Sequence, residues 1–308
     1  MRSSAFLFTI LLFSLSSIAQ VSREAAELTE TGIKHYEKGD FDLALEKLTK
    51  SIEVSSKPRA SKKLKTNALA QTEFEVRDRI TFHDPVTGIA FLNRGHVHFA
   101  RAKMELAIFD YSEAIRIAPA NKEAYVSRSL AYMLNGQNQR AIDDAKKSIK
   151  LDPDYFRAHI ALGMAYQEAG QLKEALECSE KAIKLEPKSA EAYFRRGDFL
   201  RLSNRYPEAL LDYDRAMKLD PDFASPYIGR GAINFEEGRY EAAISDFTTA
   251  LGIDPRLVQA LRYRGYAHLA LGRDADAERD LSQAIARAPR MREQIETASA
   301  QIRQKRQL

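Results

Sequence analysis

Small residues recur along this chain with a period of 34 residues. Six alanines form an unbroken series at that spacing: Ala107, Ala141, Ala175, Ala209, Ala243 and Ala277. A glycine or serine stands twelve residues before each of them, a proline stands twelve residues after, and another alanine or serine stands seven residues after. This period indicates one supersecondary element that is repeated at least six times.

The apolar positions within each repeat follow two helical stripes separated by a turn. The recurring glycine or serine falls in the middle of the first stripe, where only a small side chain lets a second helix approach closely. Turn residues separate the stripes at Gly136, Gly170, Gly238 and Gly272, and the recurring proline ends the second stripe. Each repeat is therefore predicted to be a helical hairpin.

These features resemble the tetratricopeptide repeat, including an aromatic residue near the start of the first helix at Tyr125, Tyr193 and Tyr227. The resemblance implies an all-α fold, a right-handed superhelical solenoid of antiparallel helix pairs with a concave groove lined by the first helices. Repeat 1 is expected at 25–58, with Ser56 in place of the proline. Repeats 2 to 7 are expected at 88–121, 122–155, 156–189, 190–223, 224–257 and 258–291, and residues 292–308 are expected to cap the last repeat.

Two stretches lie outside these repeats. Residues 1–19 contain Arg2, an apolar run from Ala5 to Leu15 and the small residues Ser17 and Ala19, which together are typical of a secretory signal peptide. The apolar run is shorter than the roughly 20 residues that cross a bilayer, so we expect cleavage after Ala19, with an uncleaved anchor as the alternative. Residues 59–87 are an insertion that is either a decayed repeat, a short hairpin or a segment that fills the groove.

Composition narrows the function classes. The chain has 44% hydrophobic and 29% charged residues, as water-soluble globular proteins do. Its formal net charge of +4 is too dilute over 308 residues for nucleic-acid binding. Cys178 is the only cysteine, so the chain cannot form an internal disulfide.

An arginine of the first helix and an aspartate sixteen residues later occur together or not at all. Repeats 1 and 4 have Thr31 with Lys47 and Leu162 with Cys178 at these positions. We hypothesise that each arginine joins the two helices of its own hairpin by forking onto the carboxylate. The five pairs are Arg94 with Asp110, Arg128 with Asp144, Arg196 with Asp212, Arg230 with Asp246 and Arg264 with Asp280.

The tripeptide Arg196-Gly197-Asp198 matches a motif of adhesive ligands. However, Arg-Gly recurs at the same repeat position from Arg94, Arg230 and Arg264. The tripeptide is therefore predicted to lie inside a helix rather than in the exposed loop that adhesion requires.

Catalytic and cofactor-binding patterns are absent from the sequence. His96 and His98 are two residues apart, which on a helix points them to different sides. His35, His98 and His268 share one repeat position where packing residues are usual. There is no HExxH motif, cysteine cluster, phosphate-binding glycine loop or nucleophile elbow. The protein is therefore expected to be non-catalytic and to need no cofactor or metal.

A second stripe in each first helix follows one residue behind the packing stripe. By the resemblance, it faces the concave groove, and charge interrupts it mainly near Glu191, Asp198, Arg201 and Arg262. An open apolar surface of this kind predicts a protein or peptide partner, either an amphipathic helix or an extended apolar segment. The candidate binding residues are Leu92, Phe99, Val126, Leu130, Met133, Ile160, Met164, Phe194, Arg201, Ile228, Phe235, Arg262, Tyr266 and Leu269.

The sequence thus favours an exported, periplasmic or secreted, non-catalytic scaffold that binds another protein, with no nucleic acid and no stable membrane anchor after signal cleavage. Similar repeat proteins act as scaffolds in bacterial envelopes. One alternative is a self-associating homo-oligomer whose groove is closed or filled by its own chain. Another is a docking regulator of an envelope enzyme.

Overall fold

A computed structural model describes residues 23–56 and 85–306, and all regular secondary structure in these ranges is helical. The expected all-α fold of antiparallel helix pairs is confirmed. The chain divides into two compact units, unit 1 from Met1 to Pro153 and unit 2 from Asp154 to Leu308. The predicted signal peptide, and residues 59–84 of the predicted insertion with its hairpin alternative, lie outside the described residues.

The described residues of unit 1 form three helix pairs. Helix α1 covers 23–37 and α2 covers Phe41–Ser56. The next two pairs are α3 (Pro85–Ala100) with α4 (Met104–Ile117), and α5 (Lys122–Leu134) with α6 (Asn138–Leu151). Residues 85–87, which the sequence reading placed in the insertion, instead belong to α3, where Thr87 and Gly88 are already buried.

Unit 2 contains four pairs and a terminal helix. Its pairs are α7 (Phe156–Glu168) with α8 (Leu172–Leu185), α9 (Ala190–Leu202) with α10 (Tyr206–Leu219), α11 (Ala224–Glu236) with α12 (Tyr240–Ile253), and α13 (Val258–Ala270) with α14 (Asp274–Arg287). A 3₁₀ turn at Pro289–Met291 leads into α15 (Arg292–Arg306). None of the described helices is both long and apolar enough to cross a bilayer.

Within each unit, a first helix packs against its own second helix and against the second helix of the preceding pair. The recurring alanines form these contacts, since Ala107, Ala141, Ala209 and Ala243 are fully buried. In unit 1, α4 and α6 end two residues before Pro119 and Pro153, and in unit 2 the second helices end in the same way. This is the expected effect of proline on the preceding turn.

The turns inside the hairpins require a left-handed backbone residue. Gly136, Gly170, Gly238 and Gly272, where the sequence pattern predicted turns, have φ between 72° and 77°. At the same repeat position, Ala102 and Asn204 adopt φ of 55° and 58°. Asparagine tolerates this region better than alanine does, so the α3–α4 turn carries the larger backbone strain.

The recurring glycines accommodate large side chains of the second helices. A Cβ atom on Gly95 would lie 2.6 Å from the Tyr111 ring, and one on Gly197 would lie 2.7 Å from the Tyr213 ring. Repeat 3 carries Ala145 where these tyrosines stand, and there Ser129 replaces the glycine and donates to the carbonyl of Ala141 at 2.7 Å. The size of this first-helix residue therefore follows the size of the side chain that packs on it.

Helix α15 covers the end of unit 2, as the sequence predicted. Ile295 is 1% exposed and joins the apolar cluster of Leu261, Leu269 and Leu281, with Ile302 packed at its edge. Arg306 donates to the carbonyl of Leu269 at 3.0 Å and bonds the Asp274 carboxylate. The helix therefore caps the last pair with apolar burial and charge pairing.

Candidate protein-binding groove

Five arginines join the two helices of their hairpins. Each donates through Nε and Nη2 to the carboxylate sixteen residues later, and these distances lie between 2.6 and 3.2 Å. The aspartates are almost fully buried, whereas the arginine side chains are 17% to 33% exposed. We call these the seam pairs; the structure brings together all five pairs that the sequence proposed.

The remaining Nη1 atom of a seam arginine reaches backwards along the chain, which the sequence analysis missed. Arg128 donates through Nη1 to Ser112 at 3.0 Å, Arg230 to Asp214 at 2.8 Å and Arg264 to Thr248 at 3.1 Å. Each acceptor lies sixteen residues before its arginine, on the second helix of the preceding repeat. One guanidinium thus links three helices, and the recurring Ser, Thr or Asp was the signal that could have revealed it.

This backward link is missing at Arg196. Glu180 occupies the acceptor position, and Nη1 of Arg196 has no hydrogen-bond partner among the described residues. A cavity of about 280 Å³ opens beside it, lined by Leu176, Glu180, Arg196 and Leu211 among others. The α8–α10 side of unit 2 is therefore less tightly connected here than at the other seam arginines.

The open groove that the sequence predicted is only half open. The side of the first helices that carries the fourteen stripe residues is called the groove face below. Seven of the fourteen are buried by the chain itself: Leu92, Val126, Ile160, Phe194, Ile228, Tyr266 and Leu269. The predicted stripe is exposed only in part because successive first helices also contact one another within each unit. Phe194, for example, packs edge-on against Phe223, the residue that precedes α11, with ring centroids 5.2 Å apart.

The other seven stripe residues stay partly accessible: Phe99, Leu130, Met133, Met164, Arg201, Phe235 and Arg262. In unit 1, Ile89 and Leu134 extend this surface, and both expose about half of their side chains. Ile89 lies at helical spacing from Leu92 and Phe99, and Leu134 lies beside Leu130. The sequence analysis did not include these two residues in the groove, although their spacing could have placed them there.

The groove face of unit 2 carries charge. Nε of Arg201 lies 3.8 Å from Asp198, and its Nη1 lies 3.7 Å from Glu236, both beyond hydrogen-bond length. The pKa of Asp198 is raised, because burial outweighs the opposing effects of the hydrogen bond from Tyr213 at 2.8 Å and of the nearby Arg201. A cavity of about 110 Å³ between α9 and α11 is lined by Phe194, Asp198, Arg201 and Ile228, among others.

The tripeptide of Arg196, Gly197 and Asp198 lies inside α9, as predicted. Gly197 is buried, Arg196 is held by Asp212, and Asp198 accepts from Tyr213. All three residues therefore contribute to the contacts between α9 and α10.

His98 and His268 are two partly buried histidines of the first helices, at the same repeat position. Burial lowers the pKa of His98 and of His268, although Asp110 and Asp280 oppose the shift. The Nδ1 atom of each is buried without a hydrogen-bond partner in the described part of the chain. Among the described residues, no group of three His, Cys, Asp or Glu side chains is placed to hold a metal ion.

We expect the free energy of unfolding to decrease as the pH falls from 8 to 5.5. A histidine with a lowered folded pKa favours the unfolded chain once protons bind near its ordinary pKa of about 6.5. The stabilisation is thus complete above that value and is lost as the pH falls through it. Urea unfolding at both pH values measures this difference. The difference between the two pH values should shrink in a double variant with His98→Asn and His268→Asn. Asparagine is chosen because Asn234 occupies the same repeat position. An unchanged difference would contradict the role of these two histidines in the pH dependence.

Comparison with known proteins agrees with this architecture. Two sequence profiles described as Tetratricopeptide repeat match the chain, one at residues 160–224 and 228–292 and the other at 90–121 and 122–155. Together they cover well over half of its length, and the chain belongs to the tetratricopeptide repeat family. A search of curated proteins finds no match.

Solved structures show the same fold. A tetratricopeptide repeat protein from Parabacteroides merdae is 18% identical with a TM-score of 0.66, over 90% of this chain and 99% of that one. A thermophilic repeat protein of Thermus thermophilus is 20% identical with a TM-score of 0.55, over 59% and 99%. A chain of the APC/C hetero-tetramer Cut9-Hcn1 is 16% identical with a TM-score of 0.60, over 86% and 52%. Proteins of this repeat class typically bind other proteins.

Proposed function

We propose that this protein is an exported, non-catalytic scaffold that binds a segment of another protein on the groove face of its first helices. The observation that carries the proposal is the apolar surface of unit 1 that the chain leaves partly uncovered. Phe99, Leu130 and Met133 are half-buried there, beside the more exposed Ile89 and Leu134. Contiguous apolar surface of this kind is unusual on a soluble protein unless a partner covers it.

The number of available side chains limits the affinity. These five side chains are already partly covered, so a partner that buries their remaining exposed surface gains about 1 kcal/mol of binding free energy from each. Association costs about 4 to 15 kcal/mol in lost freedom. The apolar contacts in unit 1 therefore do not suffice alone, and the partner must add hydrogen bonds or contacts elsewhere. A segment that pairs apolar side chains with polar groups meets this requirement, and the flexible Met133 side chain can adapt to it.

The proposal is tested with a groove variant and a matched control in the same unit. The groove variant carries Leu130→Glu and Met133→Glu, and the control carries Leu106→Glu and Phe109→Glu on α4, where both residues are exposed. Mature protein, residues 20–308, is used to capture partners from an envelope extract, with mass spectrometry of bound proteins and light scattering of the free protein. Phe194 is unsuitable for this test, because it is buried and a charge there would disturb folding.

We expect specific partners to be lost from the groove variant and retained by the control. If the groove variant and the control capture the same set of partner proteins, groove binding is contradicted. Loss of self-association alone, seen as a lower mass of the groove variant, would instead establish the homo-oligomer.

N-terminal sequencing of protein from the extracytoplasmic fraction tests export, with Gln20 expected as the first residue.

A further inference from the structure

Three arginines on the groove side of unit 2 have unused hydrogen-bonding capacity. The Nε atoms of Arg195, Arg201 and Arg262 are buried and have no hydrogen-bond partner among the described residues. The seam arginines differ, because each of them directs Nε at an aspartate. A buried N–H without an acceptor costs free energy, so such groups commonly mark a place where a ligand or a water molecule supplies the acceptor.

Arg262 is the least compensated of the three. No carboxylate of the described residues lies within 4.0 Å of it, and its guanidinium stacks over the Tyr263 ring at 4.8 Å. Arg195 and Arg201 have carboxylates at 3.7 to 4.0 Å, close enough to lower the positive potential around them but too far to accept a hydrogen bond. An incoming anion is therefore attracted most strongly by Arg262.

The surroundings favour a carboxylate over a larger anion. Phe194, Ile228 and Tyr266 are buried beside these arginines, and this apolar setting strengthens a charged hydrogen bond. A carboxylate matches the planar guanidinium with two parallel bonds. A phosphate carries up to twice the charge, and Asp198 on the wall of the small cavity would repel it more strongly.

The placement of the arginines indicates acidic side chains rather than a chain terminus. Arg195 and Arg201 stand on α9 and Arg262 stands on α13, with α11 between these helices. Packed helices lie about 8 to 10 Å apart, so the two groups are separated by about 16 to 20 Å. A single terminal carboxylate cannot reach both groups. An extended segment covers this distance in about five to six residues.

We propose that the groove face of unit 2 recognises an extended peptide segment with two acidic side chains about five to six residues apart and apolar residues between them. This inference rests on the proposed function. One acidic side chain bonds Arg262 and the other lies near Arg195 and Arg201. The stripe residues of unit 1 are all apolar, so this acidic preference belongs to unit 2 alone.

A random peptide library displayed on phage tests the proposal against the mature protein. Selected peptides are synthesised with amidated C-termini, which removes the terminal carboxylate, and their affinities are measured by fluorescence anisotropy. We expect paired acidic residues among the selected peptides and an affinity loss of about 10- to 100-fold in R262Q, the range for a charged hydrogen bond. The control R256Q changes an exposed arginine that pairs with Asp254, and it should bind as the wild type does.

A second readout separates recognition from a structural role of Arg262. The two acidic residues of a selected peptide are replaced one at a time, Asp by Asn and Glu by Gln. Replacement of the residue that bonds Arg262 should weaken binding to the wild type as much as R262Q weakens binding of the original peptide, and R262Q should not distinguish these two peptide forms. If R262Q distinguishes the original peptide from both singly replaced forms as strongly as the wild type does, Arg262 does not bind the acidic side chain and the inference fails.

The outcomes also separate this inference from the proposed function. If the selected peptides show no acidic enrichment but lose binding in the groove variant with Leu130→Glu and Met133→Glu or in a Phe235→Glu variant, groove binding stands and the acidic preference is overturned. If neither variant affects binding, or if the library yields no binder, the proposed function fails together with this inference.

Discussion

Replacing Arg94 with methionine is expected to lower the free energy of unfolding by about 3 to 5 kcal/mol, the range for breaking a buried ion pair on one side. This seam pair is the least exposed of the five, at 17% for Arg94 and 1% for Asp110. Methionine keeps most of the aliphatic stem but leaves the carboxylate buried without its two donors, and His98 at 3.7 Å is too distant to replace them. Urea unfolding at pH 7.5 measures the change.

A double-mutant cycle with Arg94→Met and Asp110→Ala isolates the pair. The double variant should be more stable than the sum of the single losses implies, because it buries no unpaired charge. The coupling should be weaker for Arg196 with Asp212, where the arginine is more exposed. The solvent-exposed pair of Arg205 and Glu208 is the control, and its coupling should not differ from zero. Equal couplings for all three pairs would show that burial does not govern this interaction.

Replacing Gly229 with alanine is expected to destabilise the protein by about 1 to 3 kcal/mol, the cost of overpacking a core. Alanine is normally the better residue inside a helix by up to about 1 kcal/mol. Here, however, a Cβ atom would lie 2.4 Å from Cζ of Tyr213, whose ring is fully buried between Gly229 and Gly197. The ring cannot move away, so the clash outweighs the helix propensity. Thermal and urea unfolding measure the loss.

The same substitution at Gly252 provides the matched control. This glycine is also helical, but a Cβ atom there meets nothing within 4 Å, so Gly252→Ala should stabilise the protein by about 0.5 kcal/mol. Tyr213→Leu should partly rescue Gly229→Ala, because Leu281 and Leu48 occupy the equivalent position in other repeats. Similar effects at Gly229 and Gly252, or no rescue by Tyr213→Leu, would show that contact with the ring does not limit the residue at 229.

The sequence by itself determined the helix pairs, the turn glycines and the seam pairs. The reason is that a 34-residue period repeats the same short-range contacts, so equivalent positions of different repeats can be compared within one sequence. Arg94 with Asp110 could be paired from the sequence because Leu162 with Cys178 lack both partners. The left-handed position could be located because glycine fills it in most repeats, as at Gly136 and Gly238.

Only the tertiary structure decided which stripe residues are accessible. Burial depends on which side chains the rest of the chain places opposite a residue, and the period does not report that. Phe194 is covered by Phe223, whereas Phe235 keeps part of its ring accessible. In the same way, Gly229 is required by a tyrosine of the preceding repeat, and the Nε of Arg262 is unpaired because no neighbouring carboxylate approaches it. Such contacts arise from the approach of non-identical repeats, which local spacing cannot specify.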